Sequence, residues 1–166
     1  MTIVEFQEQS ASHLAASDIT ELLSFRLARF VAINDRNGQD WTMSYFGLRL
    51  NEWRVLGLIN AARPIKFRDI SERLLMDKGQ LSRIVKSLAG RGYITSYVAQ
   101  GDARSIELSI TETGRELHGR MFPFAKSRNN VVVEVLSDRE HLEFTRILEK
   151  LATHNENLQK QNGQFR

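Results

Sequence analysis

Between residues 66 and 110 the period of the apolar residues changes once, from helical to alternating, and that change leaves few folds open to the chain. Phe67, Ile70, Leu74 and Leu75 repeat at helical spacing, and so do Leu81, Ile84, Val85 and Leu88. Only Met76 and Asp77 form the turn between the two expected helices. Asp77 and Gln80 form the D-x-x-Q pattern of a capping box, so a second helix is expected to start at Lys78. Gly90 and Gly92 end it. Tyr93 to Val98 and Ser105 to Ile110 then alternate and are rich in strand formers, with Gln100-Gly101-Asp102-Ala103 as the turn between them. Helices joined by so short a turn must cross steeply. Helix, tight turn, helix and hairpin is the layout of a winged helix-turn-helix.

The flanks read as helices. Ile19, Leu22, Leu23, Leu27, Phe30 and Val31 have helical spacing through Ile33, with Asp18 as N-cap. Asn34 to Asp40 holds Asn, Asp and Gly and reads as a loop. A helix follows from about Asn51 to Ala62 and is closed by Pro64. Thr111 caps a helix through Met121, and Pro123 is expected to kink it or start a new turn. Ser137 and Glu140 make another capping box, opening a last helix to about Leu158 with a fraying tail from Gln159. The fold class expected is mainly α with a small β-hairpin wing. The domains expected are an N-terminal arm and helix over 1–45, the winged lobe over 46–115 and C-terminal helices over 116–166. The lobe has its own core in Leu56, Ile70, Leu74, Leu81, Ile84, Leu88, Ile94 and Leu108. The apolar stripes of the terminal helices are left over, and they call for a second copy of the chain.

The charge is concentrated. The chain's net charge is +3, but residues 63 to 91 hold eight basic and three acidic residues, while the first 22 residues hold four acids and no Lys or Arg. A local basic surface on a near-neutral chain is how a phosphate-binding face looks in sequence. On the second helix of the pair, Leu81, Ile84, Val85 and Leu88 take the inner face. Lys78, Gln80, Ser82, Arg83 and Lys86 are left outside. Gln and Arg can hydrogen-bond base edges in pairs, while Ser and Lys suit phosphate oxygens. At the hairpin tip Arg104 can enter a narrow minor groove, with Asp102 holding its guanidinium.

Other chemistries find little support. There is no cysteine, which removes disulfides, thiolate metal sites and thiol redox switches. No P-loop, G-x-G-x-x-G, G-x-S-x-G or H-E-x-x-H motif is present. The expectation is therefore no enzyme, no cofactor and no metal. No signal peptide or membrane span is read, and a cytoplasmic location is expected. His118 and His141 keep a metal-responsive regulator open as an alternative, and a small enzyme as a remoter one.

Five blocks in order carry a resemblance: Leu48-x-x-x-Glu52-Trp53-Arg54-Val55-Leu56, the run Asp77-Lys78-Gly79-Gln80-Leu81-Ser82-Arg83-x-Val85-x-x-Leu88, Gly92-Tyr93-Ile94, Asp102-x-Arg104, and Thr111-x-x-Gly114-Arg115. From about Leu48 to Arg115 the chain resembles the MarR family of bacterial regulators. The resemblance implies a homodimer joined by its first and last helices, binding to palindromic double-stranded DNA, and repression relieved by a small, often aromatic and anionic, effector. His13, Arg26, Arg29, Tyr45 and Trp53 are candidates for the effector site. The chain departs from the family at the head of the 51–62 helix, where Arg49 stands in place of a capping Thr or Ser. Asn51 is expected to cap instead.

Overall fold

The computed structural model describes residues 16–99 and 102–163. A short 3-10 turn, Ile19–Glu21, precedes α1 (Leu23–Phe46) and α2 (Leu50–Ala61). The two-residue strand β1 (Ile65–Lys66) leads into α3 (Phe67–Leu74) and α4 (Lys78–Gly90). The wing is β2 (Ile94–Ala99) and β3 (Asp102–Ile110), followed by α5 (Glu112–Val133) and α6 (Asp138–Gly163). The chain divides into two compact units, Met1–Arg115 and Glu116–Arg166.

The sheet is antiparallel in the order β1-β3-β2. Ile65 pairs with Leu108 and Ile94 with Ile110, and all four side chains are buried. β1 went unread because two residues show no period; its place on β3 is decided by the burial of Ile65. Six residues expected in the lobe's core are buried: Leu56, Ile70, Leu81, Leu88, Ile94 and Leu108. Leu74 and Ile84 are half-buried. Leu48, Val55 and Ile59 complete the interior.

Five assignments differ from expectation. The loop expected at Asn34–Asp40 is the middle of α1. Three of the polar residues there have partners. Asn34 donates to the Phe30 carbonyl, Asp35 pairs with Arg54 at 2.5 Å, and the Gln39 side chain accepts the Leu50 N–H. Gly38 is buried against Leu50, whose methyl lies 3.0 Å from where a Cβ would stand. Asp18 caps the 3-10 turn through the Thr20 N–H rather than α1 itself. Asn51 does not cap α2. The N-cap is Arg49, whose N–H is taken by Glu52 Oε2 at 2.8 Å. Finally, α5 runs through the exposed Pro123 without a break, and α6 extends past Leu158 to Gly163.

The caps were legible. Thr111 Oγ accepts the Gly114 N–H, and Ser137 and Glu140 exchange hydrogen bonds as a capping box. The Ser137 hydroxyl and N–H hold the exposed Glu140 carboxyl below its ordinary value. The contribution of that cap is therefore present above the ordinary carboxylate range and is lost as pH falls below it.

Between α3 and α4, Leu75 adopts a left-handed backbone, φ 48°, with 83% of its side chain exposed. A branched side chain in that conformation costs about 1–2 kcal/mol, and here no burial offsets it. Leu75→Gly is expected to stabilise the fold by roughly 0.5–1 kcal/mol. Thermal unfolding of the variant checks this, and a lower midpoint would count against it.

Candidate nucleic-acid interface

The α3–α4 turn is held on both sides by Ser71, whose carbonyl accepts the Met76 N–H and whose hydroxyl donates to the Met76 carbonyl. Asp77 Oδ1 then accepts the Gln80 N–H at 2.8 Å and starts α4 at Lys78, as expected from the D-x-x-Q pattern. Leu81 and Leu88 are fully buried, and Ile84 and Val85 half-buried, so the inner face is fixed. Lys78, Ser82, Arg83 and Lys86 stand exposed, and Gln80 is half-buried. Lys78, Arg83 and Lys86 have no acidic partner among the described residues. One helix thus carries three unneutralised cations and two hydrogen-bonding side chains within nine positions.

Two clefts flank this helix. One, of about 800 Å³, is lined by Gln80, Arg83, Ser87 and Arg91 of α4 and faces Gln39 of α1 with Arg49 and Glu52 at the head of α2. The other, of about 490 Å³, lies between α3 and the wing, with Lys66, Arg68 and Lys78 on one side and Ser105 and Ile106 on the other. Basic residues therefore line both flanks of α4, beside Asp35 and Glu52 in the first cleft and Asp69 in the second. Asp102 and Arg104 lie at the start of β3, and the expectation for their side chains falls outside what is described.

The effector candidates do not converge. Arg26 Nε donates to the Thr20 carbonyl at 3.2 Å, and Arg29 is exposed near the start of α1. Tyr45 is exposed at the other end of the same helix. At 1.5 Å per residue Tyr45 is about 24 Å from Arg29 along the axis. Trp53 is half-buried and packs edge-on against Trp41 at 6.2 Å, with Trp41 edge-on to Phe46 at 6.0 Å. His13 lies outside the described residues. Among the described residues no group of three or more His, Cys, Asp or Glu side chains could hold a metal ion, and no helix is long and apolar enough to cross a membrane.

Sequence reasoning missed Arg49, Glu52, Ser87 and Arg91 as parts of the cleft beside α4. Glu52 had a signal, three residues after an N-cap position. Ser87 had none, because its partner is 35 residues away.

The MarR family model matches residues 46–105, from the end of α1 into β3. Over that stretch the chain is similar to the MarR family of transcriptional regulators. An HTH-type transcriptional regulator of Bacillus subtilis, YkoM, is 26% identical over 112 residues, 68% of this chain and 73% of that one. The regulator SarZ of Staphylococcus epidermidis is 24% identical over 82 residues, 49% of this chain and 55% of its own length. Among solved structures, a MarR/EmrR family regulator from Acinetobacter superposes with a TM-score of 0.78 at 24% identity, covering 84% of this chain and 99% of that one. The same fold is seen in BpsR of Bordetella bronchiseptica, whose DNA binding is regulated by 6-hydroxynicotinic acid (TM-score 0.72, 18% identity, 83% and 98% covered). It is seen again in a MepR–DNA complex from S. aureus (TM-score 0.71, 20% identity, 81% and 99% covered).

Proposed function

We propose that this protein is a MarR-family repressor that binds a palindromic operator as a homodimer and is released by a small aromatic anion. The observation that carries the DNA-binding part is α4, capped by Asp77 and presenting Lys78, Gln80, Ser82, Arg83 and Lys86 from one helix with no acid among the described residues neutralising its cations. In this reading α4 enters the major groove, and Gln80 and Arg83 reach base edges. Lys78, Ser82 and Lys86 hold phosphates, and Asp102 and Arg104 serve the wing in the minor groove. The MepR–DNA complex of the same fold supports it.

The dimer rests on apolar surface. On α1, Leu23, Phe30, Val31 and Ile33 are exposed, and so are Leu142, Phe144, Ile147 and Leu148 on α6. A second copy related by a two-fold axis would cover them. The domain division into 1–45, 46–115 and 116–166 is part of the same reading, with the first and last segments given to dimerisation. The effector class is supported by BpsR, whose regulator is an aromatic acid. Because Arg26, Arg29, Tyr45 and Trp53 do not meet within one chain, an effector site using them would draw on both copies. The reading places the protein in the cytoplasm, with the DNA.

Selection of bound duplexes from a random pool tests the function. A palindrome with half-sites about one helical turn apart supports it, whereas recovery of no preferred sequence removes it. On the selected site, Lys86→Ala is expected to weaken binding to all sequences alike and to reduce the slope of log K against log salt by about one unit. A changed sequence preference at unchanged salt slope would assign Lys86 to a base instead.

A further inference from the structure

The Glu52 carboxylate is 7% exposed and divided between two helices. Its Oε2 accepts the Arg49 N–H at 2.8 Å, and its Oε1 accepts the Ser87 hydroxyl at 2.6 Å in the last turn of α4. Capping α2 requires only the first of these bonds. A carboxylate withdrawn from water is costly unless its oxygens are hydrogen-bonded, so the bond to Ser87 has to be explained on its own. Ser87 lies four residues after Arg83 and seven after Gln80, which puts all three on one stripe of α4. Arg91, one turn further, continues the stripe. Its Nη1 donates to the Gly47 carbonyl at 2.9 Å, and its guanidinium lies 5.0 Å above the Tyr93 ring. Both pins end at the corner where α1 meets α2, a corner itself closed by Gln39 on the Leu50 N–H and by Gly47 at φ 62°.

We propose that Glu52 and Arg91 are positioning residues that fix the rotation of α4 about its own axis and so determine which base edges Gln80 and Arg83 reach. The proposal rests on the reading of α4 as the recognition helix. A helix is rigid over two turns, so turning Ser87 away from Glu52 swings Gln80 and Arg83 through the same angle. Attraction to phosphate does not depend on that angle in the same way, because Lys78 and Lys86 are long, flexible point charges. The clamp therefore acts on sequence preference and not on general affinity.

The test measures affinity for the selected operator and for a scrambled duplex of equal length. Ser87→Ala is expected to lower the ratio of the two affinities about tenfold while the scrambled duplex stays within about twofold of wild type. Ser87→Thr keeps the hydroxyl and is expected to restore most of the ratio. Arg91→Gln cuts the second pin from an exposed position, where folding is not at stake, and is expected to lower the same ratio. If Ser87→Ala fails to fold, Arg91→Gln decides. An unchanged ratio, or losses of equal size on both duplexes, overturns the clamp. A wild-type protein that does not distinguish the two duplexes overturns the recognition-helix reading itself and the clamp with it, so the two failures are seen in different proteins.

Discussion

Replacing Gly114 by alanine is expected to destabilise the winged lobe by about 3 kcal/mol or more. An ideal Cβ at this position would stand far inside van der Waals contact of the Tyr93 carbonyl oxygen and 2.8 Å from Ile110 Cγ1. Neither neighbour can yield cheaply. The Tyr93 carbonyl accepts the Thr111 N–H at 3.1 Å, and the Thr111 hydroxyl donates to the Gly92 carbonyl at 2.7 Å. Those bonds tie the end of α4 to the start of α5 at the root of the wing. Moving Tyr93 would also disturb the adjacent Ile94–Ile110 pair, both buried. Gly119 is the internal control. It lies on the same helix, is exposed, and has nothing within 4 Å of its would-be Cβ. Gly119→Ala is expected to stabilise by up to about 1 kcal/mol through helix propensity. Thermal unfolding of the two variants side by side should give midpoints that move in opposite directions, with Gly114→Ala falling by about 10 °C. A Gly114→Ala protein that melts with wild type would mean that the wing root is looser than these contacts imply.

The same glycine shows what could be read in advance and what could not. Thr111-x-x-Gly114-Arg115 was legible as a pattern, and Thr111 as a cap, because a cap is decided by residues three apart. The reason for the glycine was not legible, since the atom it avoids belongs to Tyr93, 21 residues back. Local chemistry likewise revealed Asp77 and the start of α4, and with it the exposed face from Lys78 to Lys86. Wherever tertiary packing overrode local preference, sequence reasoning missed. Asn34 to Asp40 has the composition of a loop, yet Arg54 and Leu50 of the next helix supply partners for Asp35 and Gln39 and fill the space beside Gly38. Pro123 removes a donor from an exposed stretch of α5, where water can satisfy the freed carbonyl, and the helix continues. The clamp at Glu52 is of the same kind: its two ends are far apart in sequence, and each looks ordinary where it stands.

The other large effect concerns assembly. If the chain pairs as proposed, Leu148→Glu is expected to convert the dimer to a monomer and to abolish operator binding without altering any residue proposed to face DNA. Phe144, Ile147, Leu148 and Leu151 fall on one face of α6 by their spacing of three and four. Leu151 is half-buried within a single chain, so a charge there would confuse loss of folding with loss of assembly. Leu148 is 36% exposed and Ile147 40%, with Leu142 at 71% on the same helix, so a carboxylate at Leu148 can reach water in the monomer. In the proposed dimer it would be buried unpaired in the interface, at a cost of several kcal/mol on each side of the two-fold. Operator affinity should follow because a single α4 makes half the contacts. Losing the second half-site removes the effective concentration that joins the two binding events, a factor of about 10² to 10⁴. Solution mass and operator affinity, measured on the same sample, check the prediction together. Circular dichroism of that sample shows whether α6 is still folded. A Leu148→Glu protein that remains dimeric places the interface elsewhere. One that is monomeric yet binds the full palindrome as tightly as wild type separates DNA recognition from two-fold symmetry, and with it removes any mechanism in which an effector acts by changing the spacing of the two recognition helices.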